Sequence, residues 1–155
     1  QSKIDGACFW LDNNPVIGMS TRYDRIDNFW FVLRHEIEHV LQGHGKNAPI
    51  IDDLDGDKSG TDNVPEEERI ANAAAADFCV PAEKVESFIK RKQPFFYEKD
   101  VLAFSQINGI HPGLMVGQMQ HKLRKYDYLR RHQVKVRQFV APGAITDGWG
   151  QMPPV

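Results

Sequence analysis

Cysteine is scarce in this chain of 155 residues: Cys8 and Cys79 stand far apart and make no CxxC. That excludes a disulfide-stapled scaffold and fits a reducing cytoplasm. Charge of one sign is lacking too. Nineteen Lys and Arg face 21 Asp and Glu, a net of -2, so no global field draws the chain to nucleic acid or an anionic membrane. No apolar run approaches the roughly 20 residues of a spanning helix, and no membrane partner is expected. There is no internal repeat. An initiator methionine is absent as well. The chain opens Gln1-Ser2-Lys3, and a further segment upstream is expected. What is present is 41% hydrophobic residues, enough for the core of one domain spanning 1–155.

The chain divides into short elements. Ala7 to Leu11 and Val16 to Met19 read as strands around an Asn13-Asn14-Pro15 turn, a hairpin with a loop longer than two residues. Asp27 or Asn28 can cap a helix from Phe29 to about Gln42, ended by Gly43 or Gly45. Residues 46–65 are polar and read as a mobile loop. Glu66, Glu67 and Glu68 suit the first turn of a helix reaching about Cys79, with Pro81 ending it. Helices follow at Ala82–Arg91, at Glu98–Ile107 and from Pro112 or Gly113 to about Tyr126. Val134 to Val140 reads as a late strand. Leu102, Phe104, Ile107, Leu114, Met115 and Leu123 are candidate core.

The chemistry gathers at His35-Glu36-Ile37-Glu38-His39, an HExxH pattern. Two His at i and i+4 share one helical face, so both imidazoles can reach one ion. Glu36 lies about 100° round the helix, where it misses the ion but can reach a water beside it. Zinc brings the pKa of such a water toward about 7, and Glu36 is then the general base for attack on a peptide carbonyl. With His35 at 0° on a wheel, His39 falls near 40°, while Trp30, Leu33, Ile37, Val40 and Leu41 fall between about 140° and 240°. The expectation is that this apolar stripe enters the core and the His pair faces a cleft.

A catalytic zinc takes three protein ligands and keeps one position open. His44 comes five residues after His39 and past the helix end, which breaks the HExxHxxGxxH spacing and reads as a solvated histidine. Glu68 is the better third ligand. It shares a face with Asn72, and Ala71 and Ala75 are small enough to let its helix lie close to the HExxH helix. Glu66 and Glu67 compete with it for the role.

The run from Phe29 to Leu41, together with Glu68-Arg69-Ile70-Ala71-Asn72 leading through Ala75 to Pro81, resembles the ImmA/IrrE metallo-endopeptidases. Ile110 to His121 is similar to a stretch in members fused to a helix-turn-helix repressor or antitoxin domain. The resemblance covers roughly residues 5–125. The elements read as an α+β fold, a small N-terminal β-hairpin or sheet packed on a zincin-like helical body. The resemblance implies zinc held by His35, His39 and Glu68, with Glu36 as base, and the same donors also suit manganese. A transcriptional repressor is the implied substrate, and DNA contact is implied through the upstream segment. Ala74 stands where the family pattern has Phe. The alternative is a non-catalytic antitoxin or regulator domain that uses the metal for structure or sensing.

Other features carry less. Asp55, Asp57, Ser59, Gly60 and Glu66 match part of an EF-hand loop, but Asp62 replaces the apolar anchor and Pro65 precedes the Glu, so a solvated loop is the better reading. The loop's length also suits a lid. His111, between two helices, is a candidate hydrogen-bond donor to a transition state, though such a His more often caps a turn. Arg22 and Tyr23 are weaker candidates of that kind. Residues 98–126 read as helix-turn-helix. Lys122, Arg124, Lys125, Arg130, Arg131, Lys135 and Arg137 form a local basic patch, read first as a solvated, packed helix end and second as a phosphate contact.

Overall fold

A computed structural model describes residues 4–52 and 64–142. The described chain is a mixed α+β fold. In order it contains β1 (Gly6–Leu11), β2 (Asn14–Met19), α1 (Ile26–Leu41), β3 (Ile50–Asp52), α2 (Glu66–Cys79), α3 (Ala82–Lys92), α4 (Glu98–Asn108), α5 (Pro112–Leu123) and α6 (Arg137–Val140). The strands form one antiparallel sheet in the order β2-β1-β3.

The hairpin loop is shorter than the composition suggests. Leu11 pairs with Asn14 and Trp10 with Pro15, which leaves only Asp12 and Asn13 between the strands. Both have positive φ, 47° and 69°. A two-residue turn whose twist matches the strands needs this, and Asp and Asn tolerate it. Pro15 fits because β2 is an edge strand with no ladder bond to donate on its far side.

Helix α1 starts earlier than the expected Asp27 or Asn28 cap. Arg25 is the N-cap residue, with no side-chain cap. Asp27 instead pairs with Arg25 at 2.5 Å and accepts from Gln133 Nε2 at 3.0 Å. The Ile26 N–H donates to Val134 O at 3.0 Å, so the chain's last described segment covers this helix end. That contact also explains why no strand forms over 134–140. Val134 is held by α1, and the Asp24 carboxylate accepts from the Val136 and Arg137 amides, each at 2.8 Å, at the start of the short α6.

The apolar core lies in the second half of the chain, where Val80, Val85, Phe88, Val101, Phe104, Met115, Val116 and Met119 cluster. Phe104 and Met115 meet the expectation, and Leu114 and Leu123 pack at its margin. Leu102 and Ile107 do not, being 40% and 83% exposed. They sit roughly 100° or more round α4 from the centre of its inward face of Val101, Phe104 and Ser105. Gly109, φ 63°, closes α4 in the left-handed C-cap that glycine favours. Helix α5 stops at Leu123 rather than Tyr126, because Arg124 turns left-handed and the Lys125 N–H donates back to Gln120 O.

The expected orientation of α1 is met only in part: Leu33, Ile37 and Val40 of the apolar stripe are half-buried. Its buried residues are Val32, His35, Glu36, Glu38 and His39, while Trp30 and Leu41 of the apolar stripe are 38% and 69% exposed. The sheet and α2 pack around α1. The polar face is therefore sealed between layers, and a second, polar core forms there.

Candidate metal centre

Three elements build this polar core. α1 carries His35 and His39 on successive turns, both fully buried. α2 brings Glu68 from its first turn. Its Ala71 and Ala75 are fully buried, which lets the two helices approach closely. The choice among the three glutamates follows from burial: the Glu68 side chain is 18% exposed, against 68% for Glu66 and 49% for Glu67. The third element is β3. Against the expectation of loop over 46–65, Ile50–Asp52 adds to β1 and inserts Asp52, which is 7% exposed. A three-residue strand is too short for a period-2 signal. The Ile50-Ile51 pair after Pro49 was its only local cue.

The distances converge. His35 Nε2 and His39 Nε2 are 3.0 Å apart. Glu68 Oε2 is 3.3 Å from His35 Nε2, and its Oε1 is 3.3 Å from His39 Nε2. Asp52 Oδ2 is 3.5 Å from His35 Nε2 and 3.8 Å from His39 Nε2. One ligand atom from each of His35, His39, Asp52 and Glu68 lies within 4.8 Å of the others, so this cluster could hold a metal ion. Donors about 2.0–2.1 Å from a tetrahedral ion stand about 3.3–3.4 Å from one another, close to the spacing found. The hydrogen bonding agrees. His35 Nδ1, both Glu36 oxygens and Asp52 Oδ2 are buried with no hydrogen-bond partner among the described residues. A cation would supply the missing counter-charge for the two carboxylates, whereas His35 Nδ1, on the far side of its ring from Nε2, would still lack an acceptor among the described residues.

Electrostatics reflects the crowding. Burial alone would lower the His35 pKa, but the Asp52 and Glu68 carboxylates raise it to about 9. The two imidazoles hold Glu68 down to about 2 against its burial. Glu36 is raised, first by burial and then by the negative charge of Asp52. Glu36 also lies hard against β1. A Cβ built on Gly6 would come 1.8 Å from Glu36 Oε1, so only glycine leaves room there.

His44 is not the solvated residue the spacing suggested. Its Nδ1 is 3.0 Å from His39 Nδ1, and its Nε2 is 3.9 Å from Glu67 Oε2. With an ion bound at its Nε2, His39 would hold its proton on Nδ1 and donate this N–H to His44 Nδ1. The backbone holds His44 in place. Trp10 Nε1 donates to His44 O at 2.7 Å, and Gly45, φ 79°, sits where a Cβ would meet Cys8 O at 2.7 Å. On the other imidazole, Phe31 stacks at 6.3 Å between ring centroids.

No protein-family model, curated protein or solved structure matches this chain. The centre therefore stands on its own geometry.

The remaining candidates lie elsewhere. His111 is the N-cap of α5: its Nδ1 accepts from the Gly113 N–H at 3.0 Å, and burial followed by His132 lowers its pKa. It is not among the four gathered ligand groups. Arg22 grips Asp5 through two bonds, 3.0 and 2.7 Å, and lies over the Tyr23 ring. In the basic patch, Arg131 pairs with Glu98, Lys122 with Glu86, and Arg137 with Thr21, which favours the packed reading. The EF-hand-like residues 55–60 and most of the expected lid fall outside the described residues. No helix among the described residues is long and apolar enough to cross a membrane.

Proposed function

We propose that this domain is a zinc-dependent endopeptidase, with His35, His39 and Glu68 as metal ligands and Glu36 as general base. The observation that carries the reading is the convergence of two imidazoles and the Glu68 carboxylate, with the unpartnered Glu36 carboxylate beside them. Bound there, zinc supplies Lewis-acid polarisation of a substrate carbonyl and makes water acidic near neutral pH. Glu36 takes the proton from the attacking water and returns it to the leaving amine. Its raised pKa suits that exchange, and the nearby cation's charge tempers it. Glu68 neutralises one cation charge, and His44 keeps the His39 proton on Nδ1. Manganese suits the same nitrogen and carboxylate donors and is the alternative ion.

The resemblance to ImmA/IrrE proteins extends the proposal to a cytoplasmic regulator that cleaves a transcriptional repressor. The test is Glu36→Gln. This variant should bind one zinc as the native chain does, while hydrolysis of a protein substrate falls below detection. A variant that still cleaves removes Glu36 from the mechanism.

One observation favours a second reading. Asp52 offers a fourth ligand, and four protein ligands mark structural rather than hydrolytic zinc. Under that reading the module is a non-catalytic antitoxin or regulator domain, and Glu36→Gln changes nothing it does.

A further inference from the structure

The Asp52 carboxylate is where a hydrolytic centre would keep space. Its Oδ2 is buried, has no hydrogen-bond partner among the described residues, and faces both imidazole Nε2 atoms. The backbone explains how it is held. Asp52 pairs with Gly6 across the sheet, and the Asp5 N–H donates to Asp52 O at 2.8 Å. Asp5 is anchored in turn by the two-bond Arg22 grip. Apart from this attachment the strand is slight, three residues long with Ile51 60% exposed.

Charge does not select among the carboxylates, because Glu68 and an ionised Glu36 already balance a dication; distance does. The distances from Asp52 Oδ2 to the imidazoles are slightly longer than those of Glu68, and both fit one coordination sphere.

We propose that Asp52 is a fourth protein ligand of the ion, so that the folded chain holds its metal in a closed coordination sphere and a substrate gains a position only by displacing the Asp52 carboxylate. This rests on the metal site proposed above, and assigns to β3 a function that the HExxH and Glu68 pattern does not contain.

The test uses cobalt(II) as an optical substitute for zinc, with azide as a small exogenous ligand, on the whole chain. The native cobalt form should show a four-coordinate spectrum that azide leaves unchanged. Asp52→Ala should give a cobalt form whose spectrum shifts on azide addition, and its zinc affinity should fall at least about tenfold, the lower end of losses seen even for residues that only support a ligand. Asp52→Asn keeps the shape of the side chain and the β3 backbone. It should weaken zinc binding likewise, and it carries the test if the alanine variant fails to fold. An azide shift in the native cobalt form, or zinc affinity unaltered in a folded variant, overturns the proposal while leaving His35, His39 and Glu68 as ligands. Failure of the native chain to bind either metal overturns both this inference and the peptidase reading.

Discussion

Replacing Gly6 with alanine probes Glu36, the proposed general base, without touching a proposed metal ligand. The new Cβ would lie 1.8 Å from Glu36 Oε1, 2.6 Å from its Cδ and 3.0 Å from its Cγ. Real Cβ contacts do not fall below 3.0 Å, so the Glu36 carboxylate must retreat. The retreat is about 1.2 Å, and displacement of a catalytic group by about 1 Å costs on the order of 100-fold in rate. The added methyl should cost about 1–3 kcal/mol of stability as overpacking, a few degrees to about 12 °C of melting temperature for a domain of this size. The assay is hydrolysis of quenched fluorescent peptides by zinc-loaded protein, well below the melting point. It is run in the native chain and in the Asp52→Ala background, so that a closed coordination sphere does not hide the effect. Zinc content is measured on the same samples. The expected result is a rate lowered about 100-fold with zinc stoichiometry unchanged. A full rate in Gly6→Ala, or zinc lost together with the rate, refutes the reasoning: the first because Glu36 then tolerates displacement, the second because the damage has reached the ligands.

Two other outcomes follow from the same geometry. His44→Ala should weaken zinc binding by about 10–100-fold, as losses of supporting partners do, without changing the cobalt spectrum; competition titration with a chelator measures it, and unchanged affinity removes His44 from the site. Metal uptake should also depend on pH through His35. Its pKa in the folded, metal-free chain is raised to about 9, so its protonated form stabilises that state most below the ordinary pKa of 6.5, and the contribution is lost as pH rises through 9. Zinc must displace this proton, so affinity should climb with pH up to about 9 and level off above it, with proton release detectable by calorimetry in buffers of different ionisation enthalpy; pH-independent uptake between 7 and 9 contradicts this.

The sequence by itself determined the parts that depend on local spacing. Two histidines four apart share a helical face whatever surrounds them, and three glutamates after a proline begin a helix, so α1, α2 and their donors were legible before any fold was known. Pro81 marked a helix end for an equally local reason. Tertiary structure alone decided which face of α1 is covered. The wheel puts Trp30 and Leu41 inward, but the sheet and α2 close over the histidines instead, and burial of a polar face is stabilised by partners no single helix contains. Burial also chose Glu68 over its two neighbours. Asp52 and His44 were illegible for the same reason. A three-residue strand has no periodicity of its own, and His44 takes part only because Trp10 and Gly45 fold the helix end back onto β1. Their roles come from chain segments brought together across the sheet, a relation that residue spacing does not encode.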